Sequence, residues 1–281
     1  MNTFLQLDDI RISWLNGGDF ELDGGTMFGA VPRALWQKKY PPDDENYIQM
    51  RNTPLLVQTK EHNILIDTGL GNKFTEKQKK IFRISRAWSL PEELEKLGLE
   101  RKDIDIVILT HCDFDHAGGV VMRNEQEVSE LTFPRARHIV QQKEWHDVLH
   151  PNIRSRHTYW PDNFAGLEQS GLLERVDGTA EISEGITVQH TGGHTRGYQL
   201  VEIQGSEGAC AVHLGDLLPT HAHTNPLWIM AYDNFPMEVI RLKQELLPRY
   251  RKKNCWFTFY HDIYMKACRL DGQGKVAEQL G

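Results

Sequence analysis

The chain has 281 residues, of which 32 are Lys or Arg and 39 are Asp or Glu, so its formal net charge is -7. A hydrophobic fraction of 40% with 25% charged residues is typical of a globular protein and excludes a mainly disordered chain. No apolar run approaches the roughly 18 residues that span a membrane, and the acidic balance disfavours nucleic acid as a partner, because binding phosphates requires a surplus of Lys and Arg.

The cysteines predict a reducing environment. Cys112, Cys210, Cys255 and Cys268 show no close pairing along the sequence, so we expect no disulfide framework. The first residues lack the basic segment and the sustained apolar segment of a secretory signal, which makes the cytoplasm the default expectation.

Short apolar runs bounded by turn residues predict a series of buried strands. In chain order these are Ile10–Leu15, Leu55–Thr59, Asn63–Asp67, Ile104–Thr110, His138–Gln141, Ile186–His190, Gln199–Ile203, Ala209–Leu214 and Cys255–Phe259. Helical patterns lie between some of them, at Thr75–Phe82, from Ser89 to Gly98, at Gln142–Leu149 and at Met237–Tyr250. This alternation predicts a mixed α/β layered protein. Because no repeat or long linker interrupts the sequence, we expect one domain over residues 1–281.

Residues 16–52 differ from the rest of the chain. Glycine pairs, prolines and Asp43-Asp44 break any regular period, although large apolar residues such as Trp36 and Tyr40 recur. Long irregular segments in compact domains are usually functional lids or disordered linkers. Because the aromatic content argues against disorder, we expect an ordered arm that covers the site or an interface.

The strongest chemical signal follows the predicted strand Ile104–Thr110. It is the hexapeptide His111-Cys112-Asp113-Phe114-Asp115-His116, which holds four metal-ligand candidates. Alternate residues of an irregular turn can face two adjacent points, so this segment could bind two ions. The alternative, a polar loop whose histidines only cap helices, is disfavoured by the density of ligand types.

Three further polar groups follow other predicted strands. They are His194 in Thr191-Gly192-Gly193-His194-Thr195, Asp216 after Ala209–Leu214, and His261 after Cys255–Phe259. Each alone could equally be a buried histidine or a turn aspartate satisfied by hydrogen bonds. Together with the hexapeptide, however, they form a single pattern.

That pattern resembles the metallo-β-lactamase superfamily, whose signature is H-x-H-x-D-H followed by a His, an Asp and a His. Within it, the chain is most similar to the quorum-quenching N-acyl-homoserine lactonases, over nearly its whole length. The shared residues include Leu22–Gly29 with Pro32, Trp36 and Tyr40-Pro41, then His150–Ser155 with Tyr159-Trp160, and Asp216–His223. The resemblance implies a four-layer αβ/βα sandwich with two divalent metal ions at the edge of its two sheets.

By position, the resemblance implies two ligand sets. His111, Asp113 and His194 would hold one ion, and Asp115, His116 and His261 the other, with Asp216 bridging both. The ions would be zinc, or manganese, iron or cobalt. Because the second signature histidine is Asp113 here, the first ion would have a mixed nitrogen–oxygen ligand set.

A second departure concerns a tyrosine that many of these lactonases carry three residues after the bridging Asp. Pro219 stands at that position here. His221 and His223 are the nearest polar substitutes, and either could hydrogen-bond to substrate or serve as a structural or surface histidine.

The resemblance implies a lactonase that acts on an ester bond, in which a hydroxide bridging the two ions attacks the lactone carbonyl. Asp115 could accept a proton during ring opening. A homodimer formed partly through the 16–52 arm is also implied. Large apolar residues would line the pocket for the acyl chain, or else pack the arm against the body or against a second subunit: Met27, Phe28, Trp36, Trp145, Tyr159 and Trp160.

Other functions remain open from the sequence. A phosphotriesterase or arylesterase would use the same two-metal site. A redox di-iron protein would suit the oxygen-rich ligands, but it requires a partner domain that supplies electrons, and the chain shows none. A metal-stabilised binding module would require only one closed ion.

Overall fold

The computed structural model describes residues 4–281 and consists mainly of two seven-stranded sheets. Its strands are β1 Phe4–Leu7, β2 Ile10–Trp14, β3 Asp19–Asp23, β4 Tyr47–Arg51, β5 Leu55–Gln58, β6 Asn63–Ile66, β7 Ile106–Ile108, β8 Val121–Arg123, β9 Ser129–Leu131, β10 Arg137–Gln141, β11 Leu173–Val176, β12 Thr179–Ser183, β13 Ile186–His190, β14 Gln199–Gln204, β15 Cys210–His213, β16 Trp256–Thr258, β17 Ala267–Leu270 and β18 Val276–Leu280.

Helices lie between the strands and at the edge of the sheets. The α-helices are α1 Gly24–Phe28, α2 Arg33–Trp36, α3 Glu76–Ile81, α4 Leu90–Glu95, α5 Phe114–Ala117, α6 Gln142–Leu149 and α7 Pro236–Lys252. Short 3₁₀ turns occupy Arg101–Asp103, Ser155–His157, Pro161–Asn163, Gly215–Leu217 and His221–Thr224. Within residues 4–281, no helix is long and apolar enough to cross a membrane.

The first sheet has the order β1-β2-β5-β6-β7-β10-β11, and the second β12-β13-β14-β15-β16-β17-β18. One apolar cluster contains residues of both sheets, including Ile64 and Val201, and so forms the layer between them. A second cluster joins the outer face of the first sheet to α4, and a third joins the outer face of the second sheet to α7. This arrangement of helix, sheet, sheet and helix confirms the predicted four-layer sandwich.

The predicted strands are all present, with ends that differ by a few residues. Helix α4 ends at Glu95, earlier than Gly98, and the side chain of Ser89 makes no capping bond to it. Instead, the Ser89 hydroxyl accepts a hydrogen bond from Asn16 at 2.7 Å, a tertiary contact in place of a local cap.

The arm contains more regular structure than its sequence suggests. Strands β3 and β4 pair antiparallel, from Asp19 opposite Arg51 to Asp23 opposite Tyr47, and α1 and α2 lie between them. The arm's large side chains form a buried cluster with residues of the body such as Phe114 and Met230. The arm is therefore held by strand pairing and by packing against the body, and its backbone is regular at β3 and β4, where its sequence breaks any regular period.

The expectation of no disulfide is also wrong, because Cys210 and Cys255 are bonded. Their strands, β15 and β16, are parallel neighbours in which Ala211 lies opposite Trp256. This pairing places Cys210 beside Cys255 with their Cα atoms 4.7 Å apart. The pairing depends on sheet order and so could not be recognised from a separation of 45 residues. Cys112 and Cys268 are free and buried.

Candidate metal centre

The seven predicted ligands meet at one edge of the two sheets, because they follow the ends of neighbouring strands. His111, His194, Asp216 and His261 come a few residues after β7, β13, β15 and β16, respectively. Since β15 and β16 run parallel, their carboxyl ends bring Asp216 and His261 to the same edge. The Gly192-Gly193 turn before His194 has φ angles of 70° and 92°, which favour glycine over residues with a side chain.

Three side chains define what we call site A: His111, Asp113 and His194. Asp113 Oδ2 lies 3.6 Å from His111 Nε2 and 3.5 Å from His194 Nε2. All three ligand atoms lie within 4.8 Å of one another, a spacing that could hold one metal ion. Asp113, the residue that departs from the family signature, therefore faces the same point as the two histidines.

Asp115, His116 and His261 define site B. The Nε2 atoms of His116 and His261 are 3.2 Å apart, and Asp115 Oδ2 lies 3.6 Å from His261 Nε2. This group also meets the spacing that could hold an ion.

Asp216 lies between the two sites and presents one carboxylate oxygen to each. Its Oδ2 is 3.3 Å from His194 Nε2 of site A. Its Oδ1 is 3.2 Å from both His116 Nε2 and His261 Nε2 of site B. Its two oxygens could therefore each serve as a ligand to a different ion.

Every one of the four histidines is oriented by a hydrogen bond at its Nδ1 atom. His116 pairs with Asp67 and His194 with Asp233, both at 2.8 Å. His261 Nδ1 lies 3.0 Å from the carbonyl of Arg51, and His111 Nδ1 lies 3.0 Å from the Thr110 hydroxyl.

These bonds determine which nitrogen is available to a metal. The Arg51 carbonyl can only accept, so His261 Nδ1 donates to it. The Thr110 hydroxyl gives its proton to Asp67 and therefore accepts from His111. When the rings are neutral, each Nε2 consequently keeps its lone pair, as metal ligation requires.

Several inward-facing atoms have no hydrogen-bond partner among the residues that the structure describes. They are the Nε2 atoms of His111 and His194, Asp113 Oδ1 and Asp216 Oδ1. Buried polar atoms are rarely left unpaired, and nitrogen and carboxylate oxygen are ligands for divalent transition metals. The residues present therefore fit a pair of metal ions.

The electrostatics of the metal-free cluster point the same way. Burial alone would lower the pKa of His116, but Asp216, Asp115 and Asp67 raise it well above its ordinary value. Burial would likewise lower the pKa of His194, which Asp216, Asp113 and Asp233 raise. The carboxylates thus attract positive charge to these positions, as bound protons or as metal ions.

The two substitutes predicted for the missing tyrosine have different surroundings. His221 Nδ1 lies 2.6 Å from Asp262 Oδ2, and its side chain is 17% exposed. His223 is fully buried, with Nδ1 bonded to the Thr220 hydroxyl and Nε2 to the carbonyl of Met27. Because both of its nitrogens are used within the protein, the predicted substrate contact of His223 is wrong.

The predicted pocket residues are mostly parts of the core. Met27, Phe28 and Trp36 are at most 2% exposed, and Phe28 stacks between Trp36 and His223. Trp145 and Tyr159 belong to the cluster against the first sheet. For these five residues the expectation of a pocket lining is corrected, because apolar packing against the body encloses them.

Trp160 is the exception among the predicted pocket residues. It is half-buried and stacks on Phe114, with ring centroids 4.6 Å apart. Phe114 lies between Asp113 and Asp115, whose side chains are 16% and 13% exposed. Phe114 itself is only 8% exposed and packs in the buried cluster of the arm, so Trp160 is the one predicted pocket residue that keeps part of its ring exposed.

The residues that hold the ligands were not predicted. Asp67 ends the predicted strand Asn63–Asp67, so the same strand-end signal that identified Asp216 could have identified it. Asp233 lies in an irregular segment with no such signal. Tyr198 and Tyr260 donate hydrogen bonds to the carbonyls of Leu214 and Asp115, beside the ligands, from inside the core.

Comparison with known proteins agrees with this geometry. The profile of the Metallo-beta-lactamase superfamily matches residues 51–247. A crystal structure of a probable metal-dependent hydrolase from Staphylococcus aureus is 40% identical and superposes with a TM-score of 0.93, covering 98% of each chain. AidC, a dizinc quorum-quenching lactonase in complex with a product, has a TM-score of 0.78 at 21% identity, covering 99% of this chain and 96% of its own.

Curated relatives are more distant. A probable metallo-hydrolase of Mycobacterium tuberculosis is 28% identical to this chain over 58% of the chain's length. The chain spans only 55% of the length of that protein. The N-acyl homoserine lactonase AiiA of Bacillus thuringiensis subsp. kurstaki is 24% identical, and the match covers 76% of this chain and 83% of the AiiA chain.

Proposed function

Because the chain belongs to the metallo-β-lactamase superfamily and is a metallo-hydrolase of it, we propose that it opens the lactone ring of N-acyl-homoserine lactones at a site with two divalent ions. The observation that carries the proposal is Asp216, whose two oxygens face two separate groups of His and Asp ligands. A structural site would require only one closed ligand set.

Site A and site B would each hold one ion, with zinc as the first candidate and manganese, iron or cobalt as alternatives. Such a pair of ions, when bound, activates water near neutral pH and polarises the carbonyl oxygen of an ester. The protein supplies the fixed Nε2 and carboxylate positions, so the reacting groups require little reorganisation.

Two residues would act on protons and hydrogen bonds beside the ions. Asp115 keeps a 13% exposed edge, from which its carboxylate would accept the proton released by the attacking water and return it to the oxygen freed by ring opening. His221, whose Nδ1 donates to Asp262, has Nε2 left for a hydrogen bond with the substrate, which the neutral ring would accept and the protonated ring would donate. His221 would thereby take the role of the tyrosine that many of these lactonases carry at the position of Pro219.

Trp160 supports an acyl substrate over a small polar ester, because its half-buried ring stacks on Phe114, the residue between Asp113 and Asp115 in the chain. The exposed part of this ring would contact the acyl chain. The similarity to AidC, a quorum-quenching lactonase, and to AiiA, an N-acyl homoserine lactonase, supports the same substrate class. We also propose a homodimer that forms partly through the arm.

The proposal is tested by the rates of the metal-loaded protein on three substrate classes: N-acyl-homoserine lactones, aryl esters and phosphotriesters. We expect the highest kcat/KM for the lactones, with the ring-opened acid as product. Asp216→Asn, which keeps the side chain's size but removes its charge, is the matched control and should lose the activity. Higher kcat/KM for a phosphotriester or aryl ester would overturn the lactone assignment and favour the alternative hydrolase.

A further inference from the structure

Glu144 is a buried carboxylate that the reaction outlined above does not use. It is the third residue of α6 and is 0% exposed. Its Oε1 accepts the backbone N–H of Cys112 at 2.9 Å and the hydroxyl of Tyr159 at 2.8 Å. Its Oε2 accepts the hydroxyl of Thr195 at 2.7 Å. These partners are an amide and two hydroxyls, so the carboxylate is held by neutral donors.

Two of these donors belong to the segments that form site A. Cys112 lies between His111 and Asp113, and Thr195 follows His194. The single carboxylate therefore joins the loop after β7 to the loop after β13, and these loops supply all three ligands of site A. The ligands of site B come from α5 and from the segment after β16, and neither of these segments forms a hydrogen bond with the Glu144 carboxylate.

The packing leaves little freedom for this connection to shift. A Cβ atom added at Gly197 would lie 2.1 Å from the backbone nitrogen of Glu144, so α6 lies directly against the loop that carries His194. Asp113 makes no hydrogen bond through Oδ1 to another residue in the described part of the chain. Its loop is fixed beside it by the Cys112–Glu144 bond.

We propose that Glu144 is a positioning residue that sets the separation of Asp113 and His194 and thereby the affinity of site A for its ion. The inference rests on the proposed two-ion site but not on any substrate. Hydrogen-bonded groups behind metal ligands typically change metal affinity by about 10–100-fold when they are removed.

The test measures metal binding alone. Metal-free protein is titrated with Zn²⁺ against a competing chelator and with Co²⁺, whose visible absorption reports the ligand geometry. Thr195→Val removes the bond between Glu144 and the His194 loop, and Glu144→Ala removes all three bonds. Glu144→Gln retains them, because its carbonyl oxygen still accepts from Cys112 and Tyr159 while the Thr195 hydroxyl accepts from the new amide group.

The expected result is selective. Thr195→Val and Glu144→Ala should each lower the affinity for one of the two zinc equivalents by tenfold or more and alter the Co²⁺ spectrum of that site. The affinity for the other equivalent should stay within about twofold of the parent. Glu144→Gln should restore the parent affinity within a few-fold. Thr132→Val is the matched control, because Thr132 is also fully buried but its hydroxyl has no partner in the described structure.

Three results would overturn the inference. The first is an equal loss of affinity for both zinc equivalents, and the second is an unchanged affinity in both Thr195→Val and Glu144→Ala. The third is a zinc affinity of Glu144→Gln as low as that of Glu144→Ala. Melting of the metal-free variants identifies loss of fold, and Thr195→Val, the mildest change, remains informative if Glu144→Ala does not fold. A parent that binds two ions but opens no lactone would contradict the proposed function and leave this inference intact. A parent that binds fewer than two ions would contradict both.

Discussion

Asp113→His converts site A from two imidazoles and a carboxylate to three imidazoles. The change restores the histidine of the family signature, and the partly exposed position of Asp113 leaves room for the larger ring. Because nitrogen ligands suit zinc and carboxylates suit manganese, we expect the variant to bind zinc more tightly at one site and manganese less tightly.

The charge change sets the size of the effect on activity. Asp113, Asp115 and Asp216 offset three of the four positive charges of two divalent ions, and the variant leaves only two offset. One unit charge at about 5 Å, with an effective dielectric constant of about 20, amounts to about 3 kcal/mol. This corresponds to at most about 2 pKa units, so the acidic limb of the activity profile should move about 1–2 units lower.

The assay is a pH profile of kcat/KM for a lactone, together with competitive binding of Zn²⁺ and Mn²⁺ to parent and variant. Asp113→Asn, which removes the charge without adding a nitrogen ligand, separates the two effects: it should shift the pH profile but not raise zinc affinity. If Asp113→His leaves both the profile and the zinc affinity of the parent unchanged, Asp113 is not a ligand and the reasoning is refuted.

Three further outcomes follow from the structure. Asp216→Ala should abolish hydrolysis and weaken both metal equivalents while the circular dichroism spectrum stays that of the parent; unchanged turnover would exclude the bridging role. Phe28→Ala or Trp36→Ala should lower the free energy of unfolding by about 3–5 kcal/mol, as for other buried aromatic residues. Either change should affect KM equally for substrates with long and short acyl chains. A larger rise of KM for long chains would show that these residues line the pocket. Burial lowers the pKa of His138 from 6.5 to about 4, so the unfolded state binds the extra proton first, and this residue should contribute up to about 3 kcal/mol to the stability lost as pH drops from 6.5 to 4. His213 and His223, whose pKa values burial also lowers, add losses of the same sign, so denaturant titrations of His138→Phe should show a loss smaller than that of the parent, and an equal loss would contradict the assignment.

The sequence was informative where chemistry and strand ends coincide. His111, Asp115, His116, Asp216 and His261 stand after or near predicted strands, and the fold brings them to one edge. The apolar runs also predicted the inner strands of both sheets, β2, β5, β6, β7, β10 and β13 to β16, because buried strands require such runs. The division into two sheets came from the family resemblance, and the outer strands β1, β11, β12, β17 and β18 were not predicted.

The failures have a common physical cause, which is contact between segments distant in sequence. Phe28 and Trp36 look like a binding surface in isolation, but the body of the protein covers them. From the sequence, His223 could contact a substrate, but in the fold its Nε2 is hydrogen-bonded to the carbonyl of Met27. The Cys210–Cys255 bond depends on strand order, and the role of Glu144 depends on two loops that meet only in the folded chain.

The most direct test of the two-ion hydrolase is a stoichiometric titration of the metal-free protein with zinc, during which lactone opening is followed. The account predicts that two ions bind per chain and that ring opening reaches its full rate only when the second equivalent is bound. Full activity with one ion, or binding of two ions without any ring opening by the loaded protein, would contradict it.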